Sequence, residues 1–152
     1  MFETIDEIYN HLGQSMFNAL PEHWEKAWFE ALLLDPEGAM QSNQEYVYNG
    51  QTFFFNTNKI NGIAKNAKCG KAFYALYKLM QKDENDIPWN KARFEIEPDG
   101  SFDMQFKYDE DFAWYNDLDP DGKEYDELDI DTINQIETWE GLPVEFERYW
   151  LQ

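Results

Sequence analysis

The chain has 152 residues, 31 of them Asp or Glu and 12 Lys or Arg, which gives a formal net charge of −19. Hydrophobic residues make up 43% of the chain, so it can bury a core, and wholesale disorder is excluded. A surface this negative repels phosphate, which excludes binding of nucleic acid or of an anionic membrane through a basic face, and predicts a cationic partner.

The length, the first residues and the cysteine content narrow the class of protein further. The length is that of one domain, so we predict a single domain over residues 1–152. Glu3, Asp6 and Glu7 stand where a secretory leader would carry basic residues, and no apolar stretch of about 18 residues occurs. One cysteine, Cys69, and two histidines are too few for a zinc cluster. We therefore expect a cytoplasmic protein without a metal or cofactor.

The first part of the chain alternates between helical and strand patterns. Apolar residues three or four positions apart predict a helix over residues 2–20, which a proline ends. Aromatic and large apolar residues predict strands over residues 24–34 and 45–55, and an Asn-Gly turn at residues 49–50 interrupts the second. Helical spacing returns over residues 58–82, which predicts a second helix.

Basic and acidic residues are separated along the chain. Residues 57–82 hold six lysines and no acid, so the second predicted helix has a lysine-bearing solvent face. Residues 83–152 hold twenty-two acids and five bases, a net charge of −17. The acidity is therefore local, and the molecule is polarised.

Residues 89–109 predict a β-hairpin, because apolar side chains occupy alternate positions on both sides of a Pro-Asp-Gly sequence. A three-residue loop at residues 98–100 places apolar side chains opposite one another, whereas a two-residue loop would mismatch the faces. The expected partners on the apolar face are Ile96 with Phe102, Phe94 with Met104 and Ala92 with Phe106.

The same register sets like charges opposite each other on the solvent face of the hairpin. Glu95 faces Asp103 near the turn, and Lys91 faces Lys107 at the far end. Directly opposed like charges are destabilising. Glu95 and Asp103 are therefore either tolerated surface charges or part of an acidic surface that another molecule reads.

Residues 109–131 hold eleven acids and one base. Such a block is usually solvated or disordered. Large aromatic side chains are interleaved with the acids, and these cost solubility unless they pack on the domain or anchor a partner. The remaining residues, 130–152, are rich in apolar and aromatic side chains, and we predict that they fold back on the core.

A calcium-binding loop is only partly represented in the sequence. Asp117, Asp119, Asp121 and Gly122 match the first half of a calcium loop, but Leu128 stands where the bidentate Glu belongs, so an acidic turn is favoured over a calcium site.

No sequence motif for a catalytic nucleophile or a phosphate-binding loop occurs. Lys68 and Lys71 could lower the pKa of Cys69, but no base accompanies it, and we expect a packed residue there. His11 and His23 are expected to be structural. A non-enzyme is thus favoured over a hydrolase with paired acids in residues 95–121.

Taken together, these elements predict an α+β fold. We expect a mainly antiparallel sheet of four or more strands with helices packed on one face. The expected order is roughly α-β-β-α-β-β, then the acidic segment, then a last helix.

Several short sequences, in this order along the chain, resemble the YezG-like immunity proteins, the antitoxins of secreted polymorphic nuclease toxins of bacteria. The matching sequences are Leu20–Trp28, Pro88-Trp89, Phe94–Ile96, Asp99–Phe102, Phe106–Asp109 and Glu147–Leu151. Here the acidic insertion around residues 110–131 is longer than expected for the family, and the ending is only loosely similar.

The resemblance implies an immunity protein that binds and neutralises a cognate toxin, such as those of contact-dependent growth inhibition. The toxin would be basic, since a nuclease presents a basic cleft to phosphate. We expect a monomer or weak dimer. The candidate contacts besides Glu95 and Asp103 are Asp109, Glu110, Asp111, Asp117, Asp119, Asp121 and Glu124, with Trp114 and Tyr115 as hot spots. The alternative is a calcium-dependent or other acidic protein-interaction module.

Overall fold

The computed structural model describes residues 2–35, 37–60, 63–64 and 68–151. The chain forms two compact units, Met1–Lys107 and Tyr108–Gln152. The expected α+β class with an antiparallel sheet is confirmed. None of the helices in the described residues has both the length and the apolar character needed to cross a membrane.

The strands of the first unit are β1 Lys26–Leu33, β2 Met40–Tyr48, β3 Gln51–Phe54, β4 Lys59–Ile60, β5 Ile63–Ala64, β6 Lys91–Ile96 and β7 Phe102–Lys107. Five of them form an antiparallel sheet in the order β3-β2-β1-β6-β7. A separate two-stranded sheet pairs β4 with β5.

Two helices cover one face of the five-stranded sheet. Helix α1 spans Ile5–Ala19, as the apolar spacing predicts, and the side chain of Thr4 caps it by accepting a hydrogen bond from the Glu7 amide. Helix α2 spans Cys69–Met80. Both helices pack their apolar residues against β1 and β6, and the rings of Phe29 and Phe73 lie 5.0 Å apart in this core.

The predicted helix over residues 58–82 is wrong in its first part. Lys59–Ile60 and Ile63–Ala64 pair as β4 and β5, and α2 begins only at Cys69. Lys68 has a left-handed backbone, with φ of +59°, which a continuous right-handed helix does not allow. Because the pattern contains so few apolar positions, it fits a helix and a short hairpin equally well. Residues 61–62 and 65–67 of this prediction lie outside the described residues.

The hairpin of β6 and β7 has the predicted register, with Ile96 opposite Phe102 and Glu95 opposite Asp103. Gly100 takes the left-handed position of the turn, with φ of +92°, and its amide donates to the Glu97 carbonyl at 2.9 Å. The Asn-Gly turn at residues 49–50 also has positive φ at both positions and separates β2 from β3. Strand β2 begins five residues earlier than the predicted strand over residues 45–55.

The second unit is helical. It contains α3 Glu110–Asn116, α4 Lys123–Glu127, α5 Ile130–Ile136 and a 3₁₀ turn at Tyr149–Leu151. Asp109 caps α3 and Asp129 caps α5, each through its side-chain carboxylate. The acidic residues at these helix starts therefore satisfy free backbone amides and complement the positive end of each helix dipole.

Candidate functional site

Charged side chains cross the outer face of the five-stranded sheet, the face that points away from α1 and α2. Arg93 on β6 lies opposite Glu30 on β1, and its Nη1 is 2.6 Å from Glu30 Oε2. The Arg93 Nε is also 3.2 Å from Glu95 Oε2, and its guanidinium lies 4.7 Å from the centre of the Trp28 ring. Glu30 is only 5% exposed. Arg93 thus supplies a positive charge to this buried carboxylate, whose other oxygen accepts from the Asn43 side chain at 3.0 Å.

Glu95 and Asp103, the two predicted contacts on the hairpin, lie opposite each other as expected. Lys26 approaches Glu95 at 3.5 Å, so two cations offset the charge of Glu95, while Asp103 is exposed and accepts from Gln105. The expectation that the far end of this face is solvated is wrong, because Lys91 is fully buried. Of the two opposed lysines, Lys91 is therefore buried in the protein and not solvated.

The other nine predicted contacts all lie in the second unit, which carries fifteen acidic and two basic residues, a net charge of −13. Five of the nine are exposed acids, and the rest are partly buried. The exposed acids are Glu110, Asp117, Asp119, Asp121 and Glu124. This unit accordingly holds most of the negative charge of the protein, and much of it faces solvent.

Two of the partly buried acids hold the second unit together. Asp109 Oδ1 accepts from the amides of Asp111 and Phe112, at 2.9 and 3.3 Å. Asp111 receives two parallel hydrogen bonds from Arg148, both 2.8 Å long. The hydrogen bond from Arg148 to Asp111 raises the pKa of the Arg148 guanidinium above its ordinary value. Arg148 also donates to the Pro143 and Phe146 carbonyls, so it fixes the end of the chain onto α3.

The two predicted hot-spot rings are stacked on aromatic neighbours within the second unit. Trp114 lies face to face with Trp150, with ring centres 3.8 Å apart and planes 9° from parallel. Tyr115 stacks on Tyr125 at 6.0 Å, and burial together with the hydrogen bond to Tyr125 raises the pKa of Tyr115 to about 12. Packing therefore holds both rings in one orientation, which lowers the entropy cost of using them as contacts.

The segment that resembles half a calcium loop forms a tight turn. The Asp119 carbonyl accepts from the Gly122 amide at 2.8 Å, and its side chain accepts from the Asp121 amide at 3.0 Å. Within the described ranges, no group of three or more His, Cys, Asp or Glu side chains is placed to hold a metal ion. The turn thus directs the carboxylates of Asp117 and Asp121, both exposed, to solvent.

The residues considered as catalytic candidates take part in packing. Cys69 is buried, and this burial raises the pKa of its thiol despite hydrogen bonds with Thr57 and Ser15. The idea that neighbouring lysines lower this pKa is therefore wrong. His11 packs edge-on against Phe2, with ring centres 4.9 Å apart, and His23 stacks on Tyr48.

Three important side chains were missed at the level of sequence: Glu30, Arg93 and Arg148. A charged residue in the middle of a strongly apolar strand, as Glu30 is, signals a buried partner. The sequence holds no comparable signal for Arg148, whose partner Asp111 is 37 residues away.

Asp109 allows charge and fold to be separated by mutation. Asp109→Ala removes the cap of α3 and is expected to lower the free energy of unfolding by about 1 kcal/mol. Asp109→Asn keeps an oxygen acceptor at the same place and is expected to cost far less. Urea denaturation of both variants measures this difference, and equal losses for the two would show that the charge, rather than the cap, stabilises α3.

Comparison with known proteins adds a family to this geometry. The family model for YezG-like immunity proteins matches residues 5–147, nearly the whole chain. No curated protein matches the chain at a significant level. The matched range includes the sheet, the hairpin and the acidic helices. The chain belongs to the family of YezG-like immunity proteins.

Proposed function

We propose that this protein neutralises a cognate secreted bacterial toxin, a nuclease, by stoichiometric binding in the cytoplasm, without catalysis of its own. Membership of an immunity-protein family supports the role of inhibitor. The observation that carries the choice of target is the net charge of −13 in Tyr108–Gln152. A nuclease presents a basic cleft to the phosphates of its substrate, and an acidic inhibitor fits that cleft.

The exposed acids of the second unit would provide the electrostatic contacts. Glu110 lies in the first turn of α3, whereas Asp117, Asp119 and Asp121 follow its end. Glu124 lies in the first turn of α4. Asp109 and Asp111 contribute charge, but their carboxylates also hold backbone amides and Arg148. Glu95 and Asp103 would add contacts from the hairpin of the first unit.

Opposite charges would mainly accelerate capture of the toxin. Long-range attraction raises association rates and falls as salt screens it, with a Debye length of about 10 Å at 0.1 M ionic strength. Fast capture suits an inhibitor that must act before an incoming nuclease cuts. The predicted signature is an association rate that decreases steeply with salt, while the dissociation rate changes little.

Charge-neutral variants test which acids matter. One variant combines Asp117→Asn, Asp119→Asn, Asp121→Asn and Glu124→Gln. The control removes four exposed charges of the first unit, with Glu3→Gln, Glu22→Gln, Glu37→Gln and Glu84→Gln. Both variants change the net charge equally, so stopped-flow association with the toxin at low salt separates location from total charge. We expect the first variant to associate more slowly than the control; equal rates would argue against the second unit as the contact surface.

Trp114 is the aromatic contact with the clearest test. Trp114→Ala is expected to weaken toxin binding at least tenfold, because buried aromatic anchors dominate interface energies. Since Trp114 stacks on Trp150, the control is Trp150→Ala, which removes the stack and keeps the Trp114 ring. Titration calorimetry with the toxin compares the two variants. If both lose affinity equally, the pair acts by packing alone and Trp114 is not a hot spot.

A further inference from the structure

Strand β3 is an edge of the five-stranded sheet, and it lacks the features that normally protect such an edge. Residues 46–58 contain no charged residue, in a chain of which 28% is charged. Proteins usually block open strand edges with charged side chains, proline or bulges, because unpaired backbone groups there recruit another strand. The opposite edge, β7, carries Asp103 and Lys107. The two edges of one sheet thus differ in this protection.

The backbone of β3 presents hydrogen-bonding groups on its free side. The two-residue turn at residues 49–50 makes Tyr48 and Gln51 a hydrogen-bonded pair, and such pairs alternate along an antiparallel ladder. The bond from the Phe55 amide to the Gln44 carbonyl, 3.2 Å long, is in phase with this alternation. The amides and carbonyls of Thr52 and Phe54 therefore point away from β2.

The side chains of β3 are also open to a partner. All four residues of Gln51–Phe54 are exposed, and Phe54 is 79% exposed on the outer face of the sheet. The next ring, Phe53, stacks on Tyr46 at 5.3 Å, which anchors the strand to β2. In the part of the chain that the structure describes, this edge thus combines a fixed strand, backbone groups that point away from β2 and an exposed aromatic ring.

We propose that an extended segment of the toxin pairs with β3 and adds a sixth strand to the sheet. This inference rests on the proposed function and specifies a second contact surface for the same partner. Strand addition of this kind obtains affinity from backbone hydrogen bonds and specificity from alternate side chains. The alternative occupant is a second copy of this chain, which the net charge of −19 on each copy disfavours.

The neighbouring side chains indicate what the added strand carries. Glu45 lies directly opposite Phe54 on the outer face, so an acidic group stands beside the exposed ring. A lysine or arginine on the added strand can lie over the face of Phe54 and point towards Glu45. The toxin segment is therefore extended and carries a basic residue on the face that it shares with Phe54.

Two variants test the edge without removing a core residue. Thr52→Pro removes the outward amide, which bonds to no other strand of the described sheet, and proline is tolerated at such edges. Phe54→Lys adds a charge that blocks strand pairing, and its control is Leu79→Lys on α2, where the same charge is added at an exposed apolar position. We expect at least tenfold weaker binding of the toxin for Thr52→Pro and Phe54→Lys, and a smaller change for Leu79→Lys.

Hydrogen exchange on the unmodified protein gives an independent readout. When the toxin, expressed from the adjacent open reading frame, is bound, the amides of Thr52 and Phe54 are expected to become protected. Unchanged exchange at both amides, together with tight binding, overturns strand addition and leaves the proposed function standing. Failure of the unmodified protein to bind this toxin overturns both. Protection that depends on protein concentration without toxin assigns the edge to self-pairing instead.

Discussion

Replacement of Phe94 by alanine is expected to lower the free energy of unfolding by about 3–5 kcal/mol. Phe94 lies on the central part of β6, is 1% exposed, and packs with Tyr9 and Phe102 at ring-centre distances of 6.0 and 5.4 Å. Helix α1 also approaches Phe94 closely, since a methyl group added at Gly13 would lie 4.0 Å from the Phe94 ring. A cavity surrounded by a helix and two strands cannot collapse fully, so the loss exceeds the transfer free energy of the ring.

The matched control is Phe54→Ala, the same substitution on the edge strand of the same sheet. Because Phe54 is mostly exposed, its truncation is expected to change stability by no more than about 0.5 kcal/mol. Urea denaturation at constant pH measures both variants. Similar losses for the two would contradict the assignment of Phe94 to the core and Phe54 to the surface.

The second large effect is expected from Arg93→Met, which removes the guanidinium beside Glu30. Removing one partner from a well-buried ion pair costs about 3–5 kcal/mol, because the remaining charge stays buried without that partner. The Arg93 side chain is 16% exposed and the Glu30 side chain is 7% exposed, so solvent screens part of the interaction. We expect a loss of about 2–4 kcal/mol in the free energy of unfolding. Denaturation at low and high salt separates screening from packing.

Two companion variants define the cause of this loss. Lys26→Met removes a cation that is half exposed and 3.5 Å from Glu95, and it is expected to cost less than about 1 kcal/mol. The double variant Glu30→Met, Arg93→Met replaces both charges by apolar groups and is expected to recover much of the stability lost in Arg93→Met. If the double variant is less stable than Arg93→Met alone, the buried charge of Glu30 is not the source of the loss.

The register of the β-hairpin was predictable because its determinants are local, whereas the burial of Lys91 was not. Alternating apolar residues fix the inward face of β6 and β7, and the glycine at the turn fixes the loop length, so Ile96 can only face Phe102. The start of α2 was not predictable in the same way. Positions such as Ile60 and Ile63 are spaced for a helix, but they pair as two short strands.

The candidate site was predictable in its charge but not in its contacts. The density of acids in residues 109–131 is visible in the sequence, whereas the roles of individual acids depend on distant partners. Glu30 and Arg93 are 63 residues apart, and Asp111 and Arg148 are 37 apart. The position of β3 at an edge likewise follows from the strand order, which the local pattern does not determine.

The most direct test of neutralisation is co-purification with the product of the adjacent open reading frame, followed by a nuclease assay with and without this protein. We expect a one-to-one complex in which cleavage is abolished at equimolar inhibitor, and in which the variant lacking the charges of Asp117, Asp119, Asp121 and Glu124 inhibits more weakly at physiological salt. Absence of a complex, or a bound nuclease that continues to cut, would contradict inhibition by this protein.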